Sequence, residues 1–129
     1  MKYFFALVLL SIAPAAASAG DKSTSLSDAR SAIEANLKTP QGKAFDQQAG
    51  KDFAQKHMAP LRACKTTSGN DMTSFWILLK LGKDGDVEEV LFYPTTKLAT
   101  CAHGALMKER LLPPPRADYW ISVYLKLSN

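Results

Sequence analysis

Apolar residues early in the chain recur at three- and four-residue steps: Leu26, Ala29, Ile33 and Leu37, then Phe45, Ala49 and Phe53. That spacing places each set on one face of a helix. Ser25 or Ser27 can cap the first helix with Asp28 in its opening turn, so residues 27–38 are expected to be helical. Thr39-Pro40 ends it and can start the next, with Thr39 as N-cap and Pro40 at the first helical position. The second helix is expected over 40–58, weakened by Gly42 and Gly50 and closed by Pro60, after which residues 61–64 lead away. Its Phe45/Phe53 stripe reads as a core-facing surface, and Lys51, Asp52 and Lys56 as its solvated side.

After a polar loop at 65–71 the period changes to two. Phe75, Ile77, Leu79 and Leu81 share one face of a strand over 74–81, with Trp76, Leu78 and Lys80 on the other. Gly82–Asp86 supplies a hairpin turn in which Gly85 can take a positive φ. The returning strand, 87–93, has core positions Val87, Val90 and Phe92, and the odd step across Glu88-Glu89 predicts a β-bulge near the turn. Pro94 ends that strand. Leu98, Cys101, Ala102, Ala105, Leu106 and Leu112 fall on one face of a helix over 97–111, capped by Thr95 or Thr96, with Cys101 pointing inward. Pro113-Pro114-Pro115 stops it, and residues 119–127 alternate again as a last strand. The expected class is α+β, a three-stranded sheet with helices on one face. It forms one domain, a helical pair at 27–58 followed by a ββαβ core at 64–129.

The chain of 129 residues has room for one domain. Its net charge of +4 lacks the basic clustering of a nucleic-acid binder, so no nucleic-acid partner is expected. The N-terminus changes the picture more. Residues 1–19 carry Lys2, an apolar run from Tyr3 to Ala13, and Ala17-Ser18-Ala19 as a small-x-small cleavage site, the pattern of a secretory signal peptide. The run is shorter than the roughly 20 residues a spanning helix needs, and Pro14 follows it, so no membrane span is expected after cleavage. The mature chain would be residues 20–129, with a net charge of +3, periplasmic or secreted. Cys64 and Cys101 are then an even pair in an oxidising compartment, which favours a disulfide.

Residues 75–127 resemble the C-terminal domain of TonB-family proteins. The features that carry this are the first strand, "GKDGDV" as hairpin turn, "EEVLFYPTT", the Ala-rich helix, the Pro-Pro element and the final alternating strand. The closer resemblance is to TonB-like domains of the AgmX/PglI type, which carry a Cys ahead of the first strand and another at the helix start, as Cys64 and Cys101 stand here. The resemblance implies a three-stranded antiparallel sheet with a long helix packed on it, and a final strand paired beside the first. It does not extend to energy transduction, because Pro113-Pro114-Pro115 lies inside the domain and no long Pro-rich spacer precedes it. The helical pair at 27–58 is not part of the TonB domain.

Candidate chemistry is sparse. Asp84 and Asp86 flank Gly85 without the rest of a calcium loop, so they read as turn residues. Cys101 and His103, with His57 ahead of Cys64, do not complete a metal set. His57 and His103 read as surface or cap residues, and Glu88 and Glu89 point to opposite strand faces, a poor acid–base pair. No catalytic residue and no cofactor is expected. Trp76, Leu78, Trp120 and Tyr124 would form an aromatic patch on the sheet face away from the long helix. That patch is either buried by the N-terminal helices, with Phe45 and Phe53 as partners, or exposed as a partner-binding surface. The expected function is a small exported, non-catalytic protein-interaction module whose partner is an unidentified envelope protein. The alternatives are a thiol-dependent enzyme or redox protein using Cys64 or Cys101, and an envelope accessory binding peptidoglycan or lipid.

Overall fold

The computed structural model describes residues 24–69 and 71–127; the proposed signal sequence lies outside them. The elements run α1 (Leu26–Leu37), α2 (Pro40–Lys56), α3 (Ala59–Lys65), β1 (Phe75–Leu81), β2 (Val87–Tyr93), α4 (Lys97–Leu106) and β3 (Tyr119–Leu125). The class is α+β, with four helices and one antiparallel sheet of order β2-β1-β3 among the described residues. The last strand therefore pairs with the first. No helix among the described residues is long and apolar enough to cross a membrane.

The local signals for most boundaries operate as expected. Ser25, Thr39 and Thr96 each accept a backbone N–H of the first turn, capping α1, α2 and α4. Pro40 stands at the start of α2, where its missing N–H costs nothing. Gly85 turns the hairpin at φ 89°, and its O accepts the Leu111 N–H. The β1–β2 register slips between Lys80 and Leu81: Lys80 faces Glu89 and Leu81 faces Val87, leaving Glu88 as the bulged residue.

Two expectations about where helices end are corrected. Pro60 does not close a helix; it sits in the first turn of α3, again where a proline is tolerated, and carries Leu61 and Cys64 into the core. The last helix stops at Leu106, not Leu111. Residues 109–111 instead pair with the hairpin: Val87 N–H donates to Glu109 O, Leu111 N–H to Gly85 O, and Asp86 bridges Arg110. Leu111 reaches the core through that pairing, off the helix.

The helices also occupy both faces of the sheet. One core gathers Phe45, Phe53, Leu61, Phe75, Ile77, Leu79, Leu98, Leu106, Tyr119 and Ile121, drawn from α2, α3, α4 and one sheet face. Phe45 packs edge-on against Tyr119 at 5.3 Å. On the opposite face Ala29 and Ile33 of α1 cover Leu78 and Trp120, with Leu26, Ala32, Leu37 and Leu91 around them. The Phe45/Phe53 stripe is core-facing, yet these rings serve the long-helix side and do not cover the Trp76 face. The corner between the two helices is tight: Gly42 is buried where any Cβ would strike the carbonyl of Asn36.

Cys64 and Cys101 form a disulfide that ties α3 to the middle of α4. Cys64 is buried, whereas Cys101 is exposed and does not point inward as its helical spacing implies. The inward face of α4 is Leu98, Ala99, Ala102 and Leu106, rotated slightly from the expected stripe.

Candidate functional site

The register places Tyr93, Trp76 and Tyr124 on a single rung across β2, β1 and β3. They are 49, 43 and 51% exposed, the large apolar side chains left most open among the described residues. Behind them the next rung is Leu91, Leu78 and Ser122, and α1 begins to cover the sheet there. The expected patch of Trp76, Leu78, Trp120 and Tyr124 is thus divided. Trp76 and Tyr124 meet at 4.9 Å with rings inclined at 42°, in the open. Leu78 and Trp120 are buried beneath α1. Half of the patch is buried, by α1 and not by Phe45 and Phe53, and half is exposed.

Tyr93 belongs to this site and is missing from the expected set. Its signal lies in the bulge: Val90 and Phe92 turn inward after the extra residue, so Leu91 and Tyr93 must share the face of Trp76. Between the rung and α1 lies a cleft of about 230 Å³, lined by Arg30, Ile33, Glu34, Trp76, Leu78 and Tyr93. The Arg30 guanidinium lies over the Tyr93 ring at 5.5 Å.

The two edges of the sheet differ. Asn36 at the end of α1 donates from Nδ2 to Trp120 O at 3.0 Å and accepts Arg116 at Oδ1. Burial raises the carboxyl of Asp46 on α2 above its ordinary value, and the nearby Ser122 backbone opposes the rise. The Asn36 contact occupies an outward-facing carbonyl of β3. On β2 the ladder alternation leaves Val90 and Phe92 facing away from β1. Among the described residues, the backbone bonds made outside the helices and sheet pairs include none to either. The β2 edge is open beyond the stretch that residues 109–111 cover.

Two other polar features stand away from the rung. His57 is a helix cap, as expected, but it is buried, and so is Asp52, which does not belong to a solvated face. The ring holds Glu109 Oε2 at 2.7 Å on Nδ1 and Asp52 Oδ2 at 3.2 Å on Nε2. Lys56 reaches the other Asp52 oxygen at 2.9 Å. Hydrogen bonds from Lys56 and then His57 hold the Asp52 carboxyl below its ordinary value, against the effect of burial. The carboxylates sit on opposite ring nitrogens and do not converge. No cluster of three His, Cys, Asp or Glu among the described residues is arranged for a metal ion. His103 is exposed, its ring 6.0 Å from Phe92. Beside the disulfide, Thr67, Ser68, Thr95, Thr96 and Thr100 line a shallow hydroxyl-rich groove. With both sulfurs bonded to each other, neither Cys64 nor Cys101 presents a thiolate.

Comparison with known protein families, curated proteins and solved structures found no match. The site's chemistry is therefore read from its own residues. The disulfide fits an extracellular or periplasmic setting.

Proposed function

We propose that the protein is a small exported cell-envelope module with a TonB-like scaffold that acts by binding a protein partner, not by catalysis. The observation that carries this reading is the Tyr93–Trp76–Tyr124 rung, three aromatic side chains aligned across the whole width of the sheet and left open alongside α1. Aromatic residues of this kind dominate binding energy at protein interfaces, because they bury much area at little cost in side-chain entropy. The open β2 edge adjoins the rung through Tyr93 and offers a second mode of contact, strand addition, which TonB-family domains use toward receptor segments. The export signal expected in residues 1–19 and the disulfide both support a periplasmic or extracellular setting.

The test is capture of a partner from envelope extracts of the producing organism by the wild type and by a Trp76→Ala/Tyr124→Ala variant. Both positions are exposed, so the variant should keep its fold and disulfide. The wild type should retain a partner that the variant loses, with at least tenfold weaker binding, on the order expected for hot-spot residues. Equal retention by the two proteins would sink the assignment of this surface.

A further inference from the structure

The aromatic rung has a geometry that narrows the partner, provided the rung is the binding surface. We infer that the cleft between Trp76 and Tyr93 receives a proline-rich segment in the polyproline II conformation, with a basic residue beside the prolines. Four features of the structure point there.

The first is position. The rung lies on the face of the sheet, where side chains are displayed and the backbone ladder is satisfied by neighbouring strands. A β-strand ligand gains its affinity from ladder groups, which the face does not offer. A polyproline II segment needs none, since it has no internal hydrogen bonds and keeps its backbone solvated.

The second is size. At about 230 Å³ the cleft is smaller than the roughly 300–1,000 Å³ of sites that engulf a whole ligand. It suits one compact ring, with the rest of the ligand lying along the rung. Adjacent strands stand about 4.8 Å apart, so three strands give a row about 10 Å long. One polyproline II turn, three residues at about 3.1 Å each, covers nearly the same length.

The third is the lining. Trp76 and Tyr93 flank the cleft and Leu78 contributes apolar surface, a match for the C–H faces of a pyrrolidine ring. The Trp76 indole N–H and the Tyr93 and Tyr124 hydroxyls are donors, and proline-rich chains present carbonyls with no competing N–H.

The fourth is charge. Arg30 is held over the Tyr93 ring. Glu34, one helical turn on, takes part in none of the salt bridges among the described residues and lines the same wall. An acidic group beside an aromatic groove complements a cation next to the prolines.

The protein carries its own reporter. Of its two tryptophans, Trp76 is open and Trp120 is buried, so iodide quenching of the oxidised protein, as its host processes it, reads Trp76. The probes are a short oligoproline peptide ending in arginine, the same peptide ending in glutamine, an alanine-rich peptide of equal length, and a soluble peptidoglycan fragment. The arginine peptide should protect Trp76 saturably. Trp76→Phe, followed by calorimetry, should weaken binding at least about fivefold. Glu34→Gln should weaken the arginine peptide about two- to fivefold and leave the glutamine peptide unaffected. Absence of saturable protection would overturn the inference. So would equal protection by the alanine peptide or by the glycan, or concentration-dependent self-association that buries Trp76 with no response to oligoproline. If oligoproline fails while partner capture still depends on Trp76 and Tyr124, the surface stands and only the ligand class falls.

Discussion

At the scale of single residues, a buried and a half-buried carboxylate make opposite contributions. Asp52 lies between Lys56 and His57, and its carboxyl is held below the ordinary value by those hydrogen bonds. A depressed folded-state value stabilises above the unfolded value of 3.8, and the gain is lost as pH falls through the folded value. Asp46 is shifted the other way by burial, so its contribution is present below the unfolded value and is lost as pH rises through the folded one. Asp52→Asn should therefore lower stability at neutral pH by about 1.5–3 kcal/mol, the worth of hydrogen bonds to a charged group. It should also flatten the acid limb below pH 3.8. Asp46→Asn should leave neutral-pH stability equal or higher. Urea unfolding across pH checks both. Asp52 falls outside the apolar stripe of α2, and Glu109, which holds the other nitrogen of its partner His57, lies 52 residues beyond that histidine. Local patterning could therefore not distinguish it from its exposed neighbours Lys51 and Lys56.

At the scale of elements, the local signals and the packing diverge in instructive ways. The strands, the hairpin turn, the bulge and the helix caps are written in period and in turn chemistry, and they appear where those signals put them. The side of the sheet each helix takes is not local information. It depends on competition between faces, which is why α1, with its modest Ala29/Ile33 stripe, came to cover Leu78 and Trp120. Ile33→Ala should cost about 2–4 kcal/mol. It should also make Trp120 accessible to iodide, while Trp76 stays as open as before. The disulfide is the corresponding tie on the other face. Its partners are 37 residues apart, a loop for which chain entropy gives about 4 kcal/mol. Replacing Cys64 and Cys101 by Ser should lower stability by up to that amount. Amide exchange should rise first in α3 and α4, while β1, hydrogen-bonded on both sides, exchanges last. Thiol titration of the oxidised wild type should find no free thiol.

At the scale of the whole molecule, the candidate site is the part of the sheet that helices on neither face finish covering. The sequence placed aromatic residues on the right face, but it could not say how far α1 would extend over them. Half of the expected patch went into a second small core and half stayed open, with Tyr93 joining through the bulge. The edges follow the same logic of partial cover. Asn36→Ala removes the group that caps Trp120 O and leaves Arg116 without its partner. A loss of about 1–3 kcal/mol is expected from the unsatisfied buried carbonyl. The variant should also sediment as larger species at high concentration, because an uncapped β3 edge becomes available for pairing.

In the language of polymer chemistry, a sheet open on both sides is a bifunctional monomer, and each addition leaves another reactive end. Asn36 blocks one of those ends here, at Trp120 O. The intact chain is a monofunctional unit, so strand addition at β2 terminates after a single step. A partner strand, or the β2 of a second copy, yields a finite complex with no growing end. A sheet capped in this way can keep one edge available for recognition without seeding a fibre.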